Sequence, residues 1–358
     1  MQEAGRLGMV NELLRQAVER KASDIHITVG IPPVLRINGS LIPTAYPPLA
    51  VKDIELIFNA MSSREQQSQF ADRGELDFSF AIFGLSRFRV NAFRQRGSIA
   101  IVIRLVNENI PTLEQLEMPE VLKTLARQPR GLVLVTGPTG SGKSTTLAAM
   151  ISLINSERTS HILTLEDPIE YLHKHNKCIV NQREIHTDTK SFSNALRAAL
   201  REDPDVILVG EMRDSETIAT AITAAETGHL VFATLHTGSA AQTIDRIIDV
   251  FPPYQQQQIR IQLSVTLQGI ISQQLLPRID KSGRIAALEV LVANPAVRNL
   301  VREGKTHQLN SVIQTGAKLG MQAMDIALRD LCHRGVISYE EASMRAMDGE
   351  TFSRLLNS

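Results

Sequence analysis

The chain has 358 residues, 43% hydrophobic and 21% charged, which is enough for two ordinary cores at about 150 residues per domain. Its 38 Lys and Arg residues balance 38 Asp and Glu residues, which excludes a strong overall field for binding nucleic acid. Only Cys178 and Cys332 occur, so neither a disulfide framework nor a cysteine-based zinc site is indicated. No apolar run approaches about 18 residues and the N-terminus has no signal-peptide pattern, so we expect a cytoplasmic protein.

The first third of the chain has the pattern of a small α+β domain, which we place at residues 1–106. Apolar side chains recur at helical spacing over about residues 8–21. Short alternating segments rich in β-branched and aromatic residues then predict strands at 24–29, 34–37, 77–82, 86–93 and 98–106, with turns at Asn38-Gly39, Gly84 and Gly97.

Prolines at 111, 119 and 129 flank a short apolar stretch and indicate a hinge, so we place a linker at residues 107–118. In the second domain, residues 119–358, apolar runs predict strands at 132–136, 161–166, 206–209 and 230–235, and helical patterns lie at 145–154, 191–201 and 215–227. This alternation predicts an α/β fold with a parallel sheet between helices. From about residue 255 we expect a mainly helical part, with Asn294 and Pro295 opening one helix and Ser338 and Glu341 forming a capping box for another.

Residues 137–144 read Gly-Pro-Thr-Gly-Ser-Gly-Lys-Ser, the phosphate-loop pattern GxxxxGK(S/T), between a predicted strand and a predicted helix. The glycines let the backbone approach a phosphate chain, whose charge is met by backbone N–H groups at a helix N-terminus. Lys143 should reach the β- and γ-phosphates, and the Ser144 hydroxyl should ligate Mg²⁺. We therefore predict a nucleotide site formed by Gly137, Pro138, Thr139, Gly140, Ser141, Gly142, Lys143, Ser144 and Thr145.

Acidic residues follow two predicted strands, at the edge where parallel sheets bind ligands. Glu166 ends one strand, where a carboxylate that orients or activates the attacking water would lie, with Asp167 and Glu170 supporting it or the metal. The alternative is that these carboxylates serve an ordinary turn or a helix cap. Glu211 follows another strand in the manner of a Walker B acid, which holds Mg²⁺, partly through water.

The direction of the strands separates further polar residues into two groups. Asp203 and Asp205 precede a strand, so we expect them at the opposite edge of the sheet. His229 and His236 stand at the two ends of one strand, and seven residues span roughly 23 Å, so both cannot contact one phosphate. We predict His236 as the γ-phosphate sensor and expect His229 to bond a backbone group or face a neighbouring subunit. The alternative is a structural role for either histidine.

Clustered arginines distinguish the first domain: Arg87, Arg89, Arg94, Arg96 and Arg104. Strand alternation would place the first two on one face and the next two likewise on one face. Such a cluster either reaches a nucleotide as bidentate phosphate ligands or forms a solvated surface. In the second domain, Arg213 and Asp214 either belong to the site or form an exposed pair.

Several motifs lie in order along nearly the whole chain. They are the phosphate loop in residues 130–145, an acidic box at 164–171, a Walker B segment at 200–214, a histidine box at 228–237, Ala-Ser-Asp-Ile-His at 22–26 and Ala-Val-Arg-Asn-Leu-Val-Arg-Glu at 296–303. Together they closely resemble the secretion ATPase superfamily and, within it, the PilT family of type IV pilus retraction ATPases. The last motif is similar to that family's AIRNLIRE sequence, from which it differs at Val297 and Val301.

The resemblance implies a homohexameric ring in which a PAS-like N-terminal domain is joined flexibly to a RecA-like P-loop ATPase domain. It implies ATP hydrolysis between the two domains, with Glu166 as the catalytic carboxylate, Glu211 as the Walker B acid, and His229 and His236 as the histidine-box residues. The arginines that would complete the site are among Arg89, Arg94, Arg96 and Arg104. The implied partner is the inner-membrane pilus platform protein, which places the ring at the cytoplasmic face of the inner membrane and implies a role in twitching motility.

The sequence is also compatible with other functions. Relatives that extend pili or drive secretion usually carry a four-cysteine zinc module and a longer N-terminal region, and their absence here favours retraction. The accessory paralogue PilU and the Dot/Icm-type secretion ATPases share much of the pattern. A non-hydrolysing nucleotide-binding regulator or scaffold is another alternative, although it would need neither predicted acid. We expect no direct nucleic-acid partner, since charge is balanced and no tryptophan is available for stacking.

Overall fold

The computed structural model describes residues 2–37, 39–82, 84–106, 109–346, 352 and 356, with side chains from residue 8 onward. Asn38 of the predicted turn and the first two residues of the predicted linker lie outside this part. The chain divides into two compact units, Met1–Glu108 and Asn109–Ser358. Within the described residues, no helix has both the length and the apolar character needed to cross a membrane.

The first unit is a small α+β domain with one antiparallel sheet. Its strands are β1 Asp24–Ile27, β2 Val34–Ile37, β3 Ser40–Pro43, β4 Glu75–Ile82, β5 Ser86–Gln95 and β6 Ser98–Leu105, and its helices are α1 Gln2–Glu19, α2 Val51–Met61 and α3 Arg64–Arg73. The strand order is β3-β2-β1-β6-β5-β4. Five of these strands and the first helix are predicted from the sequence, whereas β3, α2 and α3 are not.

Alternation along β5 shows why the strands of this unit could be predicted. Phe88, Val90 and Ala92 are fully buried, while the residues between them are partly exposed, as expected for a strand with one face on a core. The helix α3 carries local signals at both ends. The Ser63 hydroxyl accepts a hydrogen bond from the Gln66 N–H, and Gly74 closes the helix in the left-handed conformation.

The second unit is an α/β domain with a larger sheet. Its strands are β7 Gly131–Thr136, β8 His161–Glu166, β9 Ile179–Glu184, β10 Val206–Val209, β11 Leu230–Leu235, β12 Leu267–Pro277 and β13 Arg284–Val292. Its α-helices are α4 Val121–Ala126, α5 Lys143–Glu157, α6 Phe192–Ala199, α7 Ser215–Glu226, α8 Ala240–Asp249, α9 Pro253–Thr266, α10 Pro295–Glu303, α11 Leu309–Thr315, α12 Met324–His333 and α13 Tyr339–Arg345, with short 3₁₀ turns at Thr306–Gln308 and Ala317–Leu319.

The seven strands are ordered β13-β12-β7-β11-β10-β8-β9, and all neighbouring pairs are parallel except β12 with β13. Separate hydrophobic clusters lie on the two faces, one containing Leu134 and Ile207 and the other Val133 and Phe232. The α/β prediction is therefore confirmed. The carboxyl ends of β7, β8, β10 and β11 meet at one edge of the sheet, and this edge carries the residues that follow each strand.

Three strands of this sheet are absent from the sequence prediction. β9 and β12 carry glutamines within the strand, so neither presents an unbroken apolar run. The part after residue 255 is largely helical, but the expectation for it is incomplete because β12 and β13 extend the sheet before the last helices begin. The buried hydroxyls of Ser272 and Thr136, 2.9 Å apart, show how polar residues are satisfied inside this strand pair.

The helix that contains the AIRNLIRE-like motif is α10. Asn294 caps it by accepting a hydrogen bond from the Val297 N–H at 2.9 Å, and Val297 and Val301 are fully buried. Arg298 turns back and donates to the carbonyl oxygens of Ser264 and Val265, at the end of α9. The prediction of a helix opened by Asn294 and Pro295 is confirmed.

Candidate active site

The phosphate-loop segment connects β7 to α5 in a conformation that requires glycine. Gly137 has a φ of 142°, and a Cβ there would collide with the carbonyl oxygen of Gln273. Gly142 has a φ of 90° and stands immediately before the first residue of α5. The free N–H groups of the first helical turn and the helix dipole therefore face the loop, which is the arrangement that binds phosphate.

Lys143 lies over the loop that precedes it. Its Nζ donates to the carbonyl oxygens of Gly137 at 2.8 Å and Pro138 at 3.1 Å. Burial lowers the pKa of Lys143, and the negative charge of Glu211 opposes this effect. The interaction places the predicted lysine and the predicted Walker B acid within electrostatic reach of each other.

Glu166 is held at the end of β8. Its Oε1 accepts hydrogen bonds from the Thr164 hydroxyl at 2.7 Å and from the Gln182 amide at 3.1 Å. Burial raises the pKa of Glu166, although these two hydrogen bonds oppose the rise. A small cavity of about 40 Å³ has both Glu166 and Ser144 in its lining. The structure thus brings the predicted catalytic carboxylate and a predicted Mg²⁺ ligand to the same space.

Glu211 follows β10 and contacts two basic side chains. Arg213 Nε lies 2.7 Å from Glu211 Oε1, and His236 Nε2 lies 3.2 Å from the same oxygen. Burial alone would raise the pKa of Glu211, but the hydrogen bond from Arg213 and the charges of His236 and Arg213 lower it overall. Glu211 is therefore held as an ionised carboxylate at the sheet edge.

Arg213 and Asp214 are neighbours in the chain but contact different partners. Arg213 pairs with Glu211, whereas Asp214 caps α7 by accepting from the Thr217 N–H at 2.8 Å. The alternative of an exposed Arg213–Asp214 pair is therefore wrong, since each side chain has a different partner.

The opposite edge of the sheet holds the residues that precede the strands. Asp205 accepts a hydrogen bond from the His161 N–H at 2.8 Å, at the start of β8. His229, before β11, has its Nδ1 2.9 Å from the carbonyl oxygen of Ala224. The structure does not bring His229 to the phosphate loop of its own chain, whereas His236 lies at the loop edge beside Glu211.

The arginines of the first unit occupy three different environments. Arg89 and Arg104 stand directly opposite each other on β5 and β6, and Arg104 pairs with Asp24 at 2.9 Å. Arg94 lies over the Phe70 ring, with its guanidinium carbon 5.4 Å from the ring centroid. Arg96 lies after β5 in a turn, with a φ of 48°. The expectation that Arg94 and Arg96 share one strand face is wrong, because the strand ends at Gln95.

Three polar residues near the site are absent from the sequence prediction. Gln182 holds Glu166, and Gln273 contacts the phosphate loop from β12. His173 lines the cavity that contains Glu166, and burial lowers its pKa to about 4, so it is neutral near pH 7. A correct prediction of β9 and β12 would have placed both glutamines beside the site. β9 is adjacent to β8 and β12 is adjacent to β7, and the carboxyl ends of β7 and β8 carry the site.

A second cavity, of about 350 Å³, is lined by residues of the loop and of the α5 N-terminus. Its lining includes Gly142, Thr145 and Thr146, and also Arg278, the residue after β12. The chain from Gln115 to Met118 also lines it, and its Glu117 pairs with Arg278. The phosphate loop is thus flanked by one small acidic cavity and one larger cavity.

Comparisons with known proteins point to one family. The family profile of type II/IV secretion system proteins matches residues 3–344. The type IV pilus retraction ATPase PilT of Pseudomonas aeruginosa is 52% identical over 343 residues, which cover 96% of this chain and 99% of the relative. The type IV pilus ATPase PilU of the same organism is 45% identical over 335 residues, which cover 94% and 88%.

A solved structure extends the comparison to three dimensions. The crystal structure of the pilus retraction motor PilT with bound ADP matches with a TM-score of 0.88 and 50% identity, covering 96% of this chain and 98% of that chain. A profile match over nearly all residues and a relative this similar along its own length identify the chain as a member of the type II/IV secretion system protein family, among its PilT-like, nucleotide-binding ATPases.

Proposed function

We propose that this chain hydrolyses ATP to drive retraction of type IV pili. The observation that carries the proposal is the convergence of Ser144 and Glu166 on one cavity beside Lys143 and Glu211, in a chain similar to PilT along nearly its whole length. Movement is the expected result of hydrolysis in such a family, because binding and release of nucleotide shift a protein between conformations.

Each residue at this edge of the sheet has its own proposed role in hydrolysis. Residues 137–145 bind the phosphates through backbone N–H groups, and Lys143 neutralises their charge. Ser144 and the ionised Glu211 supply oxygen donors of the hard type that Mg²⁺ prefers. When bound, Mg²⁺ would neutralise charge on the β- and γ-phosphates. Glu166 orients and deprotonates the attacking water, and His236 contacts the γ-phosphate beside Glu211.

The larger cavity is the proposed place of the nucleoside. It begins at Gly142 and Thr145, next to the phosphate loop, and its volume of about 350 Å³ is within the range of small-molecule sites. Arg278, which is paired with Glu117, also lines it, and a base can stack on its flat guanidinium. The choice of ATP rests on the family, because the phosphate loop itself reads phosphates and not bases.

The assembly belongs to the proposal as well. Charge on the transferred phosphate needs cations in addition to Lys143, and Arg89, Arg94, Arg96 and Arg104 are the proposed donors, with His229 facing a neighbouring subunit. The proposed unit is a homohexamer at the cytoplasmic face of the inner membrane, where it transmits force to the pilus platform protein. An accessory role in retraction is the second candidate, supported by the 45% identity to the type IV pilus ATPase PilU.

The proposal is tested by counting surface pili in the host strain, either with the gene deleted or with Lys143→Ala in its place. A retraction motor powered by nucleotide predicts an excess of pili that do not retract, and loss of twitching, in both strains. Bald cells in either strain would instead indicate an extension motor. Unchanged pili with normal twitching would assign the chain to an accessory or secretion role.

A further inference from the structure

Gln273 lies behind the phosphate loop, on a strand that has no part in the phosphate-loop motif. In the pairing of β12 with β7, Ser272 stands opposite Thr136, so the next residue on β12 stands beside the first residue of the loop. Gln273 is only 2% exposed. A long polar side chain at such a position must find its hydrogen-bond partners inside the protein.

Both ends of the Gln273 amide are satisfied by the loop and its helix. Nε2 donates to the carbonyl oxygen of Ser141 at 2.6 Å, and Oε1 accepts from the Thr146 hydroxyl at 2.8 Å. Ser141 and Thr146 are themselves buried. Because a carbonyl oxygen can only accept, the amide end that faces Ser141 must be the nitrogen, which leaves the oxygen for Thr146.

The hydrogen bond to Ser141 orients the Ser141–Gly142 peptide of the loop. A trans peptide is planar, so the carbonyl of Ser141 and the N–H of Gly142 point in opposite directions. Drawing that carbonyl towards Gln273 turns the Gly142 N–H away from β12. A side chain at Gly142 would obstruct this arrangement, because its Cβ would lie 2.7 Å from Gln273 Nε2.

We propose that Gln273 is a positioning residue for nucleotide binding, which fixes the Ser141–Gly142 peptide so that its N–H faces the phosphates. Gln273 also lines the cavity proposed for the nucleoside, but the hydrogen bonds that define its role are those to Ser141 of the loop and to Thr146. Thr146 determines which end of the amide faces the loop, so the two side chains act as a unit. The inference rests on the proposed function, in which residues 137–145 hold the phosphates.

The first test is the dissociation constant of the full-length Gln273→Met variant for ADP, measured by calorimetry well below its melting temperature. Loss of the donor leaves a buried carbonyl oxygen unsatisfied, so we expect binding to weaken about tenfold or more. Gln274→Met is the matched control, because the neighbouring side chain makes only a long contact, 3.4 Å, to the carbonyl oxygen of Arg345. Equal affinities of Gln273→Met and wild type would overturn the inference.

A double-mutant cycle with Thr146→Val separates positioning from general loss of stability. If the two side chains act as a unit, Thr146→Val weakens ADP binding in the wild type but has little further effect in Gln273→Met. Independent, additive losses in affinity would contradict the inference. In steady-state ATP hydrolysis, Gln273→Met should raise KM about as much as it raises the dissociation constant, with a smaller change in kcat.

Two precautions keep the test decisive. If Gln273→Met does not fold, the isosteric Gln273→Glu variant replaces it, because a carboxylate can accept from Thr146 but cannot donate to Ser141. The wild-type protein serves as the test of the underlying function. Failure of wild type to bind ADP would reject the proposed function, whereas normal ADP binding by both wild type and the position-273 variant would reject only the role of Gln273.

Discussion

Two carboxylates at the same sheet edge have opposite electrostatic environments. Burial raises the pKa of Glu166, whereas contacts with Arg213 and His236 lower the pKa of Glu211 despite partial burial. Carboxylates whose pKa values are pushed apart generally divide acid–base work from charge stabilisation. Glu211 is therefore suited to hold a cation permanently, and Glu166 is suited to take a proton from water.

We expect Glu166→Gln to retain ADP binding while lowering kcat for ATP hydrolysis by about 10²-fold or more, because a general base is lost. The base works only when ionised, so wild-type activity should fall as pH decreases through the raised pKa of Glu166, above the usual range of a glutamate. Measured pH–rate profiles should show that acidic limb in wild type and not in Glu166→Gln. Glu157→Gln, which alters a glutamate paired with Arg127 at 2.8 Å, is the control. Near-normal turnover of Glu166→Gln would move the base elsewhere.

At the residue scale, the sequence predicts groups whose chemistry depends on a local motif. Glu166 and Glu211 follow apolar runs, and Lys143 belongs to the phosphate-loop motif that begins after one, so motif and position agree. Gln182 and Gln273 have no such signal, because each reaches the site from a neighbouring strand that the sequence does not predict, and Gln273 is also distant in the chain. Strand order and register place these two glutamines beside the site, and neither property can be predicted from a single sequence.

At the element scale, buried polar residues fasten helix ends to the sheet. Glu289 of β13 is 2% exposed, and its Oε1 accepts from the Ala240 N–H at the start of α8 at 2.7 Å. It also bonds the backbone of Met324, the first residue of α12. One carboxylate thus satisfies donors at two helix N-termini, where negative charge is favourable. Because α8 follows the loop after His236, this contact also supports the loop edge of the site.

Glu289→Ala should lower the free energy of unfolding by about 2–4 kcal/mol, because it leaves two helix N-termini without a buried acceptor and opens a cavity. Glu289→Gln should cost less, since its amide oxygen still accepts from Ala240. Urea denaturation of the two variants measures the difference. Glu340→Ala, at an exposed site, should change the free energy by less than about 1 kcal/mol. A loss in Glu289→Ala no larger than this control would show that other groups or water satisfy both helices.

Individual strands differ in how clearly the sequence predicts them. β5 and β10 have clear patterns, alternating in one case and continuously apolar in the other, because one strand has a single buried face and the other has two. β12 has no clear apolar pattern, because Ser272 and Gln273 are polar and yet buried. Their hydrogen-bond partners lie in β7 and around the phosphate loop. In a sequence such residues have the pattern of an exposed surface, so the extension of the sheet cannot be predicted from it.

At the scale of the whole molecule, the proposed catalytic groups are distributed over two compact units. The phosphate loop, Glu166 and Glu211 belong to Asn109–Ser358, and the clustered arginines belong to Met1–Glu108. The second unit alone therefore lacks the arginines that are proposed to neutralise the transferred phosphate. Arg104 is the sharpest candidate to test, because it is exposed, stands beside Arg89 and is oriented by Asp24.

Mixing two inactive variants tests whether these arginines act on a neighbouring subunit. Lys143→Ala subunits lack a working phosphate loop but keep Arg104, whereas Arg104→Ala subunits keep the loop. If Arg104 completes the site of a neighbour in a ring, mixed assemblies contain some complete sites, and ATPase activity should exceed the sum of the separate variants and peak near equal mixing. Arg64→Ala is the control, since it should remain active and need no rescue.

The mixing experiment also distinguishes the two ways in which a two-unit ATPase can be built. If the arginines act within their own chain, every mixed site lacks either the loop or Arg104, so no ratio restores activity. Exchange of subunits must first be verified with differently tagged chains, because unmixed rings would give the same negative result. Verified exchange without rescue would reject action between subunits and assign each site to one chain, whereas rescue would make the assembled ring the smallest active unit.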